Sequence, residues 1–166
     1  MKRDQSTLWL PGVEWTSGAA PAREPSDAEQ RRRALDPDSS LIVQAPAGSG
    51  KTELLIQRFL ALLARVDQPE SIVAITFTVK AAGEMRSRVL AALRKARNGA
   101  EPESAHERLT SELATAALER DAKAGWDLLH NPDRLRIQTI DALCMSITRQ
   151  MPWLARFGAM PGVTED

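Results

Sequence analysis

The stretch LIVQAPAGSGKTELL, residues 41–55, decides the fold, and its two ends differ in pattern. It opens on three apolar residues, Leu41 to Val43, which are bounded by serines on one side and a glycine-rich loop on the other. Such a short apolar run predicts a buried strand of a parallel sheet. After the loop, apolar residues recur at helical spacing at Leu55, Phe59, Leu62, Leu63 and Val66. The stretch therefore predicts a strand, a loop and a helix, in that order.

The alternation of strand and helix continues toward the carboxyl end of the chain. An apolar run at 71–77 precedes a helical pattern over 80–97, and a third candidate strand at 134–139 precedes another helical pattern. The predicted apolar faces of these two helices consist of Met85, Val89, Ala92, Leu93 and Ala96, and of Ile140, Leu143, Cys144, Ile147 and Met151. Strands separated by helices favour the α/β class, with a parallel sheet and right-handed crossovers.

The remaining segments complete the predicted organisation. Residues 1–25 have no helical or alternating period, and we interpret them as an extension. Ser26 and Glu29 then form a capping-box pattern, which predicts the start of a short helix. The segment 98–133 is acidic and helical in pattern, and we interpret it as an insertion in a domain that spans 26–166.

Composition and charge bound the possible functions. Of the 166 residues, 43% are apolar and 27% are charged, which is typical of a globular chain with a packed core. The 22 Lys and Arg residues equal the 22 Asp and Glu residues, so net charge by itself indicates no polyanionic partner. The charges are nevertheless segregated, because 80–97 holds six basic residues against one acid. This basic segment is either a solvated helix face or a surface close to nucleic acid.

Cysteine usage and hydropathy bear on the compartment. The single cysteine, Cys144, has no partner for an internal disulfide, and its place on an apolar helical face predicts a buried structural thiol. His106 and His130 stand alone in acidic helical sequence and are interpreted as surface residues. The sequence contains neither a signal-peptide pattern nor an apolar run of about 20 residues, so we expect a cytoplasmic protein.

The glycine-rich loop carries the most specific chemistry in the sequence. Gly48 and Gly50 allow the backbone to curl so that successive N–H groups point at phosphate oxygens. Lys51 is expected to reach the terminal phosphates, and Thr52 to offer its hydroxyl to Mg²⁺ at the positive end of the helix. The candidate nucleotide-binding residues are Ala45, Pro46, Ala47, Gly48, Ser49, Gly50, Lys51 and Thr52. The alternative is a glycine-rich turn that happens to contain the letters GKT.

Three segments around the loop carry a family resemblance. ITFTVKAAGEM, residues 75–85, closely resembles the TFTNKAA-type motif of the UvrD/Rep-like superfamily 1 DNA helicases. Gln30 stands upstream of the loop where that family has its adenine-reading glutamine, and IQTIDALC, residues 137–144, resembles the TFHSFC-like segment. The lead-in DAEQRRRALDP and the acidic segment are most similar to the AddA/RecB-like branch. The resemblance covers 26–157.

The resemblance implies roles for individual residues. Gln30 would hydrogen-bond the adenine of ATP, and Lys51 and Thr52 would be the catalytic residues of the loop. The residues that would line the path of single-stranded DNA are Thr76, Phe77, Thr78, Lys80 and Thr139. Phe77 is placed to stack on a base, although an apolar strand end is also compatible with a core residue. Val79 and Asp141 depart from the family pattern.

The implied fold is a RecA-like P-loop NTPase sheet with flanking helices, of which this chain is expected to hold an incomplete part. No apolar run followed by an acidic pair occurs here, and such acids hold Mg²⁺ and orient the attacking water in related motors. We therefore expect the ATP-binding N-terminal part of a 3′–5′ DNA helicase or translocase of double-strand break repair. Its partners would be DNA and another component of a helicase–nuclease complex. The alternative is a non-catalytic module that binds a nucleotide or single-stranded DNA, whereas a small-molecule kinase has no use for the TFTVKAAGEM segment.

Overall fold

The computed structural model describes residues 28–46 and 48–150, which form a mixed α/β structure. The described elements are α1 (Ala28–Ala34), α2 (Lys51–Leu63), β1 (Val73–Thr76), α3 (Val79–Arg97), α4 (Ala105–Ala124), β2 (Arg136–Thr139) and α5 (Ile140–Gln150). The α/β class is therefore confirmed. The predicted extension over 1–25, the capping residue Ser26 and the loop residue Ala47 lie outside the described residues.

β1 and β2 form a parallel two-stranded sheet. The register runs from Val73 opposite Arg136 to Thr76 opposite Thr139. Both strands are shorter than the apolar runs that predicted them, because 3₁₀ turns at Pro69–Ser71 and Pro132–Arg134 occupy the start of each run. Proline has no N–H to give to a strand ladder, which explains why neither strand begins earlier. The existence and the parallel pairing of these two strands are confirmed.

The predicted strand at Leu41 to Val43 is wrong. The segment has no strand assignment, and the side chain of Ile42 is 97% exposed. A strand exists only where a neighbouring chain accepts and donates its ladder hydrogen bonds. In the described part of the chain, β1 and β2 pair with each other and neither pairs with 41–43. The apolar composition thus indicated a hydrophobic segment without supplying a partner for it.

The core lies between α2, α3 and α4, with β2 against α3. Its fully buried side chains include Leu60, Leu63, Val89, Leu93, Leu113 and Ile137. The predicted apolar face of α3 is confirmed at Met85, Val89 and Leu93. On α2 the prediction of Leu55 was wrong, since this side chain is 50% exposed while Ile56 and Leu60 on the other side of the helix are buried. Three helices surround α2, so its buried arc is wider than, and rotated from, the spacing-based face.

α5 shows the largest departure from the predicted core. It has no buried residue, and both Ile140 and Ile147 are about half exposed at 51% and 52%. The predicted buried thiol is wrong as well, because Cys144 is exposed. No other described element covers the apolar face of α5. Across the described ranges, none of the helices combines the length and the hydropathy needed to cross a membrane.

Candidate functional site

The glycine-rich loop ends where α2 begins. Gly48 and Gly50 both have left-handed backbone angles, with φ of 77° and 81°, and Gly50 is the N-cap of the helix. A Cβ at Gly48 would meet nothing within 4 Å, so the backbone conformation rather than lack of space requires glycine there. The first N–H groups of α2 have no partner inside the helix, and they face the loop. The geometry is that of an anion-binding helix N-terminus.

The side chains of the loop add two hydrogen-bond donors to this geometry. The Lys51 ammonium lies across the loop and donates to the carbonyl oxygens of Ala45 and Pro46, at 2.5 Å each. The Ser49 hydroxyl is buried and has no hydrogen-bond partner among the described residues. An orphaned hydroxyl beside a lysine and a helix N-terminus fits the oxygens of a phosphate, each of which accepts hydrogen bonds. These residues therefore fit a nucleotide.

A cavity of about 490 Å³ opens beside the loop. It is lined by Gly48, Gly50, Lys51, Thr52, Glu53 and Arg88. The predicted magnesium ligand Thr52 is exposed in this cavity. Among the described residues no group of three or more His, Cys, Asp or Glu could hold a metal ion, so a cation here would depend on Thr52 and on the oxygens of a bound phosphate.

α1 is fastened to the loop and to α2 by arginines. Arg31 donates to the carbonyl oxygen of Ser49 at 2.6 Å, and its guanidinium lies 3.5 Å from the position that a Cβ on Gly50 would take. Gln30, the predicted adenine-reading residue, is exposed on α1 next to Arg31. The structure therefore brings the helix that carries Gln30 against the loop.

Arg58 of α2 holds the other end of α1. It donates to the carbonyl oxygens of Ala34 at 2.6 Å, Asp36 at 2.9 Å and Ser39 at 2.8 Å. The Ser39 hydroxyl donates to the Asp36 carboxylate at 2.6 Å, which holds the pKa of Asp36 below its ordinary value. The sequence analysis missed Arg31 and Arg58, since the RRR run after Gln30 does not indicate which arginine reaches the loop.

A polar network joins the first two turns of α2 to α4. The Gln57 amide is buried at 2% exposure and donates to the Thr110 hydroxyl at 3.0 Å. It also lies 3.2 Å from Nδ1 of His106, and the Thr110 hydroxyl donates to Glu53 at 3.1 Å. His106 is therefore exposed, as predicted, but it is not isolated. The network ties the acidic segment to the helix that begins at the loop.

The predicted DNA-contacting residues cluster at the carboxyl end of β1. Phe77 is 93% exposed, so the alternative of a core residue is wrong. Lys80 and Thr78 are exposed beside it. Thr78 caps α3 by accepting a hydrogen bond from the Ala81 N–H at 3.1 Å, and the Thr76 hydroxyl donates to the Thr78 carbonyl oxygen at 3.1 Å. These residues present an aromatic face, hydroxyls and a cation at one edge of the sheet.

Thr139 lies at the same edge, opposite Thr76 in the register, but is buried at 8% exposure. Its hydroxyl oxygen accepts a hydrogen bond from the Ala142 N–H at 3.2 Å, at the start of α5. The exposed carboxylate of Asp141 follows two residues later. A contact between Thr139 and a DNA backbone stays a prediction.

Comparisons with known proteins agree with the motifs. Residues 26–157 match the model of the family described as UvrD/REP helicase N-terminal domain. This match covers well over half of the chain, and the chain belongs to that family. The resemblance inferred from the motifs is thereby confirmed. No solved structure gives a significant match.

Curated relatives point the same way. The chain is 33% identical over 122 residues to an ATP-dependent helicase/nuclease protein of Lactobacillus acidophilus, a match that covers 74% of this chain and 9% of the relative. The protein of the same name from Desulfitobacterium hafniense is 34% identical over 127 residues, covering 75% of this chain and 8% of the relative. DNA helicase II of Salmonella typhimurium is 48% identical over 62 residues, covering 37% and 9%. The chain thus spans less than a tenth of the length of these relatives.

Proposed function

We propose that this chain is the ATP-binding N-terminal part of a DNA helicase or translocase that moves 3′–5′ and acts in double-strand break repair and recombination. The observation that carries the proposal is the left-handed glycine loop with Lys51 at the head of α2, within residues 26–157 that belong to a helicase family. The names of the relatives, a DNA helicase and ATP-dependent helicase/nuclease proteins, support ATP and DNA as the ligands.

ATP would be held by three groups of residues. Ser49, Gly50 and the first N–H groups of α2 face the phosphates, as would Ala45, Pro46 and Ala47 on the other arm of the loop. Lys51 would exchange its two carbonyl acceptors for phosphate oxygens, which are stronger acceptors because they are charged. Thr52 would ligate Mg²⁺, which when bound neutralises charge between the β- and γ-phosphates. Gln30 would read the adenine from α1.

Single-stranded DNA would pass the edge formed by Thr76, Phe77, Thr78 and Lys80. The exposed Phe77 ring offers a stacking face, a contact worth about 1–3 kcal/mol per base in single-strand binding proteins. Lys80 supplies the cation, and Thr139 would contact the backbone where β2 ends beside β1.

The domain organisation belongs to the same proposal. Residues 26–166 would form part of a RecA-like P-loop domain, into which 98–133 is inserted, after an extension over 1–25. The name of the helicase/nuclease relatives supports a cytoplasmic helicase–nuclease complex in which a second polypeptide is the partner. The chain by itself is expected to bind ATP·Mg²⁺ and not to hydrolyse it, because the acids that orient the attacking water have no counterpart in its sequence.

Titration of the 166-residue chain with a fluorescent ATP analogue and Mg²⁺ tests the proposal. Lys51→Ala should weaken binding by about 10- to 100-fold, the range expected for losing a charged hydrogen bond to phosphate. Lys95→Ala is the control, since Lys95 is 71% exposed and pairs with Glu107 at 3.7 Å on the surface. Equal affinity of the Lys51→Ala and unaltered chains would refute the nucleotide site. Phosphate release above the Lys51→Ala background would instead contradict the expected inactivity.

A further inference from the structure

The cavity beside the glycine-rich loop has a cation in its wall that the proposed function leaves unused. Arg88 of α3 lines the cavity together with Lys51 and Thr52. It is exposed, and no hydrogen bond or ion pair joins it to any other residue in 28–46 or 48–150. Side-chain entropy favours an exposed arginine that stays mobile, so the structure gives Arg88 no structural task.

Arg86, two residues earlier on α3, shows the contrast. It donates to the carbonyl oxygen of Ile137 at 3.0 Å and lies 3.6 Å from the Asp133 carboxylate. Arg86 therefore ties α3 to the start of β2, whereas Arg88 points its charge at the loop side of the same helix. One helix thus uses two neighbouring arginines for different purposes.

The charges of the cavity show what Arg88 could bind. Among the described residues, the only acid in the cavity wall is Glu53, which accepts a hydrogen bond from the Thr110 hydroxyl and is not in an ion pair with Arg88. Lys51 already donates to two loop carbonyls. A guanidinium presents a planar fork of N–H donors that matches two phosphate oxygens at once. A polyphosphate in this cavity would meet Arg88 on the side of Thr52.

We propose that Arg88 is a second cationic contact of the nucleotide polyphosphate, donating to its terminal phosphate oxygens from α3. The proposal rests on the proposed function, because it requires the loop to bind ATP. Thr52 is the predicted ligand of the Mg²⁺ that bridges the β- and γ-phosphates, so a cation next to Thr52 faces the terminal end of the polyphosphate. Arg88 would consequently favour a triphosphate over a diphosphate.

The position of Arg88 on α3 has a further consequence. α3 is capped by Thr78, directly after the exposed Phe77, and Arg88 lies ten residues beyond the cap. At 1.5 Å per residue, about 15 Å of unbroken helix separates the candidate DNA edge from the cavity. A displacement of the α3 N-terminus by DNA would therefore reach the phosphate contact through one rigid element.

The test compares ATP and ADP binding by the 166-residue chain and its variants, with fluorescent analogues of both nucleotides and Mg²⁺. Arg88→Ala should weaken ATP binding about tenfold and ADP binding less than about twofold, the size expected for one charged hydrogen-bond pair. Arg88→Lys should recover part of the ATP affinity, because it keeps the charge and loses the fork. Arg94→Ala on another face of α3 should change neither affinity, and Lys51→Ala should weaken both.

Three outcomes overturn part or all of the reasoning. An unchanged ATP-to-ADP affinity ratio in Arg88→Ala, alongside lost binding in Lys51→Ala, would overturn the role of Arg88 and leave the proposed function intact. Unchanged binding in Lys51→Ala would overturn the proposed function and the role of Arg88 with it. Weaker binding of an oligo(dT) strand by Arg88→Ala at constant nucleotide affinity would assign Arg88 to the DNA surface and overturn the phosphate contact. Thermal melts of each variant exclude unfolding as the cause.

Discussion

Replacing Arg58 by alanine should detach α1 from the loop while leaving the core of α2, α3 and α4 folded. α1 has only seven residues, and an isolated helix of that length is not stable in water. Its attachment depends on the three hydrogen bonds from Arg58 to carbonyl oxygens at and after the end of α1, together with the buried side chains of Ala34 and Leu35. Removing the guanidinium leaves those carbonyl oxygens without their donor.

The magnitude follows from the number of bonds. A hydrogen bond to a charged group contributes about 1.5–3 kcal/mol, and a half-buried one lies toward or below the lower end of that range. Three bonds at about 1 kcal/mol each give roughly 3 kcal/mol, or about a hundredfold rise in the population with α1 detached. The free energy of global unfolding should change less, since the core contacts of α2 remain.

Hydrogen exchange of the backbone amides measures this opening directly. In Arg58→Ala, amides between 28 and 39 should exchange about 100-fold faster, while those of α3 keep their protection. Arg65→Ala is the matched control, because Arg65 also reaches this segment but pairs on the surface with Asp38, which is 71% exposed. Equal protection of 28–39 in both variants would refute the role assigned to Arg58. If Gln30 reads adenine, Arg58→Ala should also lose discrimination between ATP and GTP.

Much of the fold was predictable because it depends on local sequence. The glycines of the loop, the apolar spacing of α3 and the runs that became β1 and β2 all act within a few residues of themselves. The parallel pairing also followed from the order of elements, since parallel strands require a long crossover between them. The nature of these elements was therefore available before any long-range contact was known.

The errors arose where a distant partner decides the outcome. Leu41 to Val43 and the apolar face of α5 have the composition of buried elements, yet no described element covers them. Whether Cys144 is buried depends on the same missing cover. Hydropathy reports what a segment can bury and is silent about what lies against it.

The same distinction separates the two halves of the candidate site. Lys51 and Thr52 follow the glycines directly, so the motif predicts them. Arg31 and Arg88 reach the loop from α1 and α3, and their positions depend on how those helices pack on α2. No spacing within either helix identifies these arginines. Motifs thus predict the centre of a phosphate site, whereas packing supplies its periphery.

Two remaining predictions test the packing that supports the site. Leu60→Ala should destabilise the chain by about 2–5 kcal/mol in urea melts, because Leu60 is fully buried, while Leu55→Ala at a half-exposed position should change the free energy of unfolding by less than about 1 kcal/mol. Similar losses in both would contradict the buried arc of α2. Glu70→Gln should lower the melting temperature at pH 7, because the hydrogen bond from Arg134 at 2.6 Å holds the pKa of Glu70 below its ordinary value of 4.5. A carboxylate with a lowered pKa stabilises the fold above that ordinary value and loses its contribution as the pH falls through the folded-state pKa. The difference between the two melting temperatures should therefore shrink as the pH approaches about 3, and a difference that stays constant would show that the Arg134 contact does not depend on the charge of Glu70.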